Sequence, residues 1–173
     1  MANIVLIGMP GCGKSTVGVL LAKALQMDFV DTDIVLQQQQ EKKLQEIIDQ
    51  VGNDAFLKME EDCVRGLECD QTVVATGGSV VYGKEAMRRL HENGLVVYIR
   101  LPYEEIERRL SNLATRGVTL KKGQTLRNLY DERIPLYEAE ADCTFEPEEG
   151  DVQETVLDLA QRLSARMEAD NGR

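Results

Sequence analysis

The stretch Gly8–Ser15, with the sequence GMPGCGKS, fits the pattern G-x-x-x-x-G-K-[ST] at every fixed position. The apolar run Ile4–Ile7 comes just before it and predicts a buried strand, and apolar residues recur at helical spacing after it. A glycine-rich turn between strand and helix can surround phosphates with backbone N–H groups, while the lysine contacts the outer phosphates and the serine hydroxyl binds Mg²⁺. The stretch therefore predicts a site for ATP, with contacts from Gly11, Cys12, Gly13, Lys14, Ser15 and Thr16.

Composition and charge restrict the function classes. With 173 residues, 43% of them hydrophobic and 29% charged, the chain is expected to form a single domain over residues 1–173. Its net charge of −10 argues against a wide nucleic-acid or anionic-membrane surface. No apolar run approaches the roughly 20 residues that span a membrane, and the N-terminus starts directly with a core strand. We therefore expect a cytoplasmic protein without nucleic-acid or membrane partners.

Strand-like and helical segments alternate along the chain. Strands are predicted over Asn3–Gly8, Phe29–Asp31, Thr72–Thr76, Leu95–Leu101 and Cys143–Phe145. Helices are predicted over Lys14–Gln26, Ile34–Gln50, Asp54–Glu68, Lys84–Glu92, Tyr103–Leu113, Thr125–Glu138 and Val152–Glu168. This alternation predicts an α/β fold of three layers, a parallel sheet with helices on both faces. Ligands of such sheets bind at the carboxyl ends of the strands.

Two carboxylates follow the second predicted strand. Asp31 and Asp33 are two residues apart, so on a strand both would face the same way, into the ligand cleft. One carboxylate there can hold Mg²⁺ through water, and the other can accept a hydrogen bond from a substrate hydroxyl. The alternative is that Asp33 only caps the following helix.

Two further segments contain residues suited to phosphates and carboxylates. Adjacent glycines in Thr76–Ser79 permit close approach of the backbone to a ligand, although a plain turn would also use them. The charged, glycine-containing stretch Thr115–Gln124 lacks helical periodicity and is expected to form a mobile lid carrying Arg116. Arg133 follows on the next helix. Both guanidinium groups suit bidentate contacts with anions, and the alternative is a solvated surface arginine in each case.

Together these features are typical of one family. They are the phosphate loop, F-x-D-x-D at Phe29–Asp33, F-x-x-x-E at Phe56–Glu60, the glycine pair Gly77-Gly78, the lid arginine Arg116, and R-x-P-L-Y at Arg133–Tyr137. In this order and near these spacings they resemble shikimate kinase, from Ile4 to about Leu163. The resemblance implies a P-loop kinase of the nucleoside monophosphate kinase-like group, with a five-stranded parallel sheet in the order 2-3-1-4-5.

The resemblance also implies roles for individual residues. Lys14 would bind the β and γ phosphates, Ser15 and Asp31 would hold Mg²⁺, and Asp33 would bind the acceptor hydroxyl and take its proton. Arg116 would enter from a lid over residues 112–124, and Arg109 would lie against adenine. An acceptor-binding helical region would span residues 34–68. Substrate contacts would come from Asp33, Leu57, Gly77, Gly78, Ser79 and Arg133, with Arg133 on the substrate carboxylate.

Three departures from the family pattern concern the acceptor side and the lid. Leu57 stands where the family has an arginine paired with Glu60 that also holds the substrate carboxylate. Ser79 stands in place of a third glycine, and Gly117 follows the lid arginine in place of proline. Lys58 or Arg65 would have to compensate for Leu57. Otherwise the pocket would suit a different acceptor, for instance one that carries an amine.

The favoured function is ATP-dependent phosphorylation of shikimate to shikimate 3-phosphate, by a monomer that uses Mg²⁺. A first alternative is a related kinase for another hydroxylated metabolite, such as a gluconate-like acid or a hydroxy amino acid. A second is a nucleotide-binding protein without acceptor chemistry. The intact acceptor-side acids argue against the second, because a simple binding module does not need them.

Overall fold

A parallel sheet with helices on both faces organises the molecule. The computed structural model describes residues 2–111, 118–147 and 151–171. Within them the sheet has the order β2-β3-β1-β4-β5, which confirms the predicted order. The strands are β1 (Asn3–Ile7), β2 (Asp28–Asp31), β3 (Thr72–Ala75), β4 (Gly94–Ile99) and β5 (Cys143–Phe145).

Every strand pair is parallel, and helices form the connections between successive strands. They are α1 (Lys14–Leu25), α2 (Thr32–Gln40), α3 (Leu44–Val51), α4 (Asn53–Arg65), α5 (Lys84–Asn93), α6 (Tyr103–Ser111), α7 (Leu126–Glu140) and α8 (Val152–Asn171), with a 3-10 turn at Val80–Tyr82. No helix in the described ranges is long and apolar enough to cross a membrane.

Strand β1 lies at the centre of the sheet, and all five of its residues are buried. Val5 is opposite Val74 of β3 on one side and Val96 of β4 on the other. Helices cover both faces of such a strand, which explains why its sequence is continuously apolar rather than alternating. Because this strand leads directly into Gly8, the core fixes the position of the phosphate loop.

The predicted helix over Ile34–Gln50 is wrong, because the chain forms two helices there. Helix α2 ends at Gln40 and is followed by Glu41, which has a left-handed backbone with φ of 52°, and α3 begins at Leu44. Apolar residues of α2, α3 and α4 surround a small second core formed by Leu36, Ile47, Ile48, Phe56 and Cys63. One straight helix of about 25 Å could not bring both of its ends onto so compact a cluster.

Candidate active site

A cleft of about 1070 Å³ opens where the chain leaves β1, β2 and β3. Its walls include Lys14 of the phosphate loop, Asp31 and Asp33 after β2, Gly78 after β3, and Arg109 of α6. These residues are far apart in sequence, and the carboxyl ends of neighbouring parallel strands bring them together. The structure thus places the phosphate loop, Asp31, Asp33, Gly78 and Arg109 around one space, whereas the predicted substrate contacts Leu57, Gly77, Ser79 and Arg133 do not line it.

The phosphate loop is held by its own backbone and by β4. Gly8 has φ of 146°, and a Cβ there would lie 2.7 Å from the carbonyl oxygen of Ile99, so only glycine fits. Lys14 is the first residue of α1 and is 7% exposed. Its Nζ donates to the carbonyl oxygens of Gly8 at 2.8 Å and Met9 at 3.0 Å. The ammonium group and the amino end of α1 therefore face the same loop, an arrangement that suits phosphate.

Ser15 and Asp31 form the candidate metal site. Ser15 Oγ donates to Asp31 Oδ2 at 2.6 Å. The other oxygen, Asp31 Oδ1, accepts from the backbone N–H groups of Asp33 at 3.0 Å and Ile34 at 3.2 Å. A hydroxyl and one carboxylate oxygen beside a phosphate loop fit Mg²⁺, which prefers oxygen ligands and usually keeps several waters.

Asp33 lies in the first turn of α2, and its side chain does not cap that helix. Asp31 is the cap, so the alternative that Asp33 only caps the helix is wrong. The expectation that both carboxylates lie on one strand face is also wrong, because β2 ends at Asp31. Half-burial of Asp33 raises the pKa of its carboxyl to about 6, with a further increase from Asp31 and an opposing effect of Lys14. The helix turn still directs Asp33 into the cleft.

Glu60 of α4 lies beneath the segment Thr76–Ser79 that follows β3, which we call the glycine turn. It is 3% exposed, and its Oε2 accepts a hydrogen bond from Ser79 Oγ at 2.6 Å. No donor among the described residues reaches its Oε1. A Cβ on Gly77 would overlap that oxygen, so glycine allows the Glu60 carboxyl to keep this position. Burial raises the pKa of Glu60 to about 7, partly offset by the Ser79 hydrogen bond.

Leu57 is half-buried on α4, one turn before Glu60. Lys58 is exposed, and Arg65 pairs with Asp62 at 3.3 Å. In this structure neither cation contacts the free oxygen of Glu60. The compensation that we considered from the sequence is therefore not observed, and the hydroxyl of Ser79 is the side-chain partner of Glu60 instead. Ser79 is buried with its hydroxyl directed at Glu60.

Arg133 is not a solvated surface arginine, since it is 1% exposed. Its Nη2 donates to Thr119 Oγ1 at 2.7 Å, and its Nε donates to Tyr82 Oη at 3.4 Å. Among the residues that the structure describes, no carboxylate lies within 4 Å of its guanidinium. A buried cation without an ion pair is unfavourable, so this position suits an anionic group of a ligand.

Three residues around Arg133 were missed by sequence reasoning. Tyr82 and Thr119 carried no motif. Tyr137 was quoted only as part of R-x-P-L-Y, yet its Oη donates to the carbonyl oxygen of Gly78 at 2.5 Å. Arg133 and Tyr137 are four residues apart and therefore share one face of α7. From that spacing, the sequence could have predicted that both side chains lie against the same neighbouring segment, which is the glycine turn.

Arg109 reaches the phosphate loop from α6. Its Nη1 donates to the carbonyl oxygen of Gly11 at 3.3 Å, and its Nε donates to Glu105 at 2.6 Å. Cys12, the residue after Gly11, is only 2% exposed. A bound phosphate would therefore contact the loop backbone rather than this thiol. Arg116 lies outside the described residues, as do residues 112–117 of the expected lid.

Comparisons with known proteins agree with this geometry. Residues 10–164 match the family model for shikimate kinase. A shikimate kinase of Clostridium botulinum is 41% identical over 138 residues, which cover 78% of this chain and 81% of that protein. One from Paracidovorax citrulli is 38% identical over 172 residues, covering 96% and 92%.

Among solved structures, shikimate kinase from Acinetobacter baumannii in complex with shikimate superposes with a TM-score of 0.83. It is 28% identical in sequence, and the match covers 98% of this chain and 94% of that one. Sequence and structure thus point to the same family.

Proposed function

The chain belongs to the shikimate kinase family, and we propose that it transfers the γ-phosphoryl group of ATP to a hydroxyl of shikimate, forming shikimate 3-phosphate. One observation carries this proposal. A single cleft joins a complete phosphate loop to the half-buried carboxylate of Asp33. Behind its glycine turn lies the buried guanidinium of Arg133, which forms no ion pair with any described residue. These are the three parts that a kinase for a hydroxylated acid needs.

The donor side would act by positioning and charge neutralisation, which dominate catalysis of phosphoryl transfer. Loop N–H groups and Lys14 would hold the β and γ phosphates, and Arg109 would contact adenine at the mouth of the loop. Ser15 and Asp31 would hold Mg²⁺, which when bound neutralises phosphate charge. Arg116, from the proposed lid over residues 112–124, would cover the transferring group.

The acceptor side would orient the hydroxyl. Asp33 would accept a hydrogen bond from it and take its proton late, because a loose transition state leaves the proton in place until bond formation is advanced. Since the pKa of Asp33 is raised to about 6, we expect kcat/KM to fall as the pH drops below this value. A pH–rate profile of the wild type checks this.

The acceptor carboxylate would be held by Arg133, and the backbone of Gly78, which lines the cleft, would contact the ring substituents. The expected contact from the N–H of Gly77 is not available here, because that group donates to Thr32 Oγ1 at 3.2 Å. Burial of Arg133 without an ion pair to any residue that the structure describes supports its role in holding the carboxylate. Leu57 stands where the family pattern has an arginine, so a second guanidinium for this carboxylate is missing. We therefore expect weaker binding of shikimate than two arginines would give, by about tenfold to a hundredfold. The helical region 34–68 would form the outer wall of this site.

A second candidate acceptor is a hydroxy amino acid. The free Oε1 of Glu60 favours it, because an ammonium group is the natural partner of an unpaired carboxylate oxygen. That oxygen is enclosed beneath Gly77, so reaching it would require the glycine turn to move. This enclosure makes shikimate the better supported acceptor.

We also propose that the enzyme works as a monomer in the cytoplasm. All proposed site residues come from one chain, and a metabolic kinase finds ATP and Mg²⁺ in that compartment.

A panel of acceptors tests the proposal. Purified protein would be incubated with ATP, Mg²⁺ and either shikimate, a gluconate-like acid or a hydroxy amino acid, with ADP release measured and products identified by mass spectrometry. We expect phosphorylated shikimate with one ADP per product. Turnover of another acceptor alone would reassign the substrate, and ATP binding without turnover on any acceptor would favour a non-catalytic protein.

A further inference from the structure

The C-terminal part of the proposed lid contacts Arg133 on the acceptor side. We call residues 118–124 the stem; it runs into α7 through Thr125. Thr119 of the stem is 8% exposed, so its hydroxyl is inside the protein rather than at the surface. That hydroxyl accepts the 2.7 Å hydrogen bond from Arg133 Nη2.

The stem has its own anchors, so Thr119 is held in place independently of Arg133. Asn53, the first residue of α4, donates from Nδ2 to the carbonyl oxygen of Leu120 at 2.8 Å. Lys121 Nζ lies 3.2 Å from Glu132 Oε1, and Gln124 Nε2 donates to Glu132 Oε2 at 2.8 Å. A β-branched side chain on an anchored backbone has a restricted χ1, which fixes the direction of the Thr119 hydroxyl.

Tyr82 holds the guanidinium from a second direction. Its hydroxyl donates to Glu132 Oε1 at 2.6 Å and accepts from Arg133 Nε at 3.4 Å. Its ring centroid lies 5.2 Å from Arg133 Cζ, close enough for a cation–π contact. Glu132 therefore joins the stem and Tyr82 into one network around Arg133.

A third hydroxyl, that of Tyr137, also interacts with this guanidinium, whose Nη1 lies on the side of Gly78. Thr119 and Tyr82 take Nη2 and Nε, whereas Nη1 lies 3.1 Å from the point that a Cβ on Gly78 would occupy. Gly78 lines the cleft. A guanidinium binds a carboxylate best through two parallel N–H groups, so its orientation determines whether it can do so.

We propose that Thr119 is a positioning residue, whose hydroxyl, with that of Tyr82, orients Arg133 toward the acceptor and thereby links the stem to acceptor binding. This inference rests on the proposed function, because it assumes that Arg133 holds the acceptor carboxylate. It adds an indirect link, through Arg133, between the C-terminal part of the proposed lid and the acceptor.

Steady-state kinetics of Thr119→Val and Thr119→Ser test the proposal. Valine keeps the shape and removes the hydroxyl, so we expect the KM for shikimate to rise about tenfold, since a hydrogen bond to a charged group is lost. We expect kcat and the KM for ATP to stay within about twofold of the wild type, and serine to restore most of the affinity. Tyr82→Phe should raise the KM for shikimate by a smaller factor, because its hydrogen bond is longer.

The proposal is overturned if Thr119→Val leaves the KM for shikimate unchanged, or if serine is as damaging as valine. A readout without substrate separates this result from failure of the proposed function. In ¹⁵N NMR, the Arg133 guanidinium resonances, assigned by their loss in Arg133→Lys, should show slow rotation in the wild type and averaging in Thr119→Val. Identical spectra would contradict the orienting role even if the wild type did not phosphorylate shikimate.

Discussion

The two sides of the cleft are built in different ways. The phosphate loop is one continuous segment, Gly8–Ser15, fixed between β1 and α1. The acceptor side is assembled from α2, α4, the glycine turn and α7. Its residues Asp33 and Arg133 are a hundred positions apart in the sequence, and Glu60 lies between them. A continuous loop tolerates few substitutions, whereas a pocket assembled from separate elements can replace one hydrogen-bond partner by another. At Glu60 the partner is Ser79, whereas the family pattern pairs this glutamate with an arginine.

The difference also appears in the electrostatics. On the donor side, Lys14 lies among carbonyl oxygens and Asp31 uses both of its oxygens. On the acceptor side, as far as the described residues go, Arg133 is buried without an ion pair and Glu60 keeps one oxygen without a donor. Lys14 also has no carboxylate within 4 Å among the described residues, so each side holds a buried cation that suits a ligand anion. The free oxygen of Glu60 is what distinguishes the acceptor side.

The largest effect should come from the donor side. Lys14→Met removes the cation that contacts the outer phosphates, so we expect kcat/KM to fall by about a thousandfold or more. Initial rates of ADP release measure the loss, and circular dichroism checks the fold. A rate within tenfold of the wild type would mean that the loop is less important than its geometry suggests.

The next effect concerns stability on the acceptor side. The pKa of Glu60 is raised to about 7 in the folded protein, against its usual value of 4.5. Protonation of this carboxyl therefore stabilises the folded state, and that contribution to the free energy of unfolding is lost as the pH rises from 4.5 through 7. Glu60→Gln should therefore leave the free energy of unfolding unchanged near pH 4.5 and increase it by roughly 3 kcal/mol at pH 8.

Urea titrations of both proteins across this pH range check the Glu60 prediction. Asp54→Asn, on the exposed side of the same helix, serves as the matched control and should show no such pH-dependent gain. A constant difference between wild type and Glu60→Gln at all pH values would contradict the burial argument.

Arg133→Lys separates the two sides kinetically. Lysine keeps the charge but loses the bidentate fork, so the KM for shikimate should rise about tenfold to a hundredfold while the KM for ATP stays nearly constant. Arg127→Lys changes an exposed arginine of the same helix and should alter neither constant. Equal effects on both substrates would show that Arg133 does not belong to the acceptor side alone.

Leu57→Arg is the smallest change and the most informative about the pocket. It places a guanidinium one turn before Glu60, at a spacing that lets the two side chains meet. We expect the KM for shikimate to fall by up to about tenfold. Lys58→Arg, on the exposed side, is the control. An increase in KM would indicate that the pocket is shaped around leucine and accepts a different molecule.

The phosphate loop and the sheet were the predictable parts, for a physical reason. A buried central strand must be apolar throughout, and a phosphate loop needs its glycines and lysine in fixed order, so both leave local signals. The break at Glu41 left none, because packing of α2 and α3 onto one small core determines it. The cap of α2, by contrast, was a local signal that sequence reasoning considered only at Asp33, whereas Asp31 bonds the N–H groups two and three residues on.

The surroundings of Arg133 and Glu60 could not be predicted, because their partners are distant in sequence. Thr119, Tyr82 and Ser79 are ordinary residues until the fold brings their hydroxyls to a buried charge. The resemblance identified Leu57 as a departure, and only the structure shows that Ser79 provides the side-chain hydrogen bond to Glu60. The roles of Arg116 and the lid remain predictions.

The central claim is that Asp33 receives the acceptor hydroxyl opposite the phosphate loop. Its most direct test is shikimate-dependent ADP release by Asp33→Asn, measured together with the dissociation constant for ATP. The account predicts that transfer is lost, by at least about a hundredfold, while ATP binds nearly as in the wild type. Full transfer activity in this variant would contradict the account.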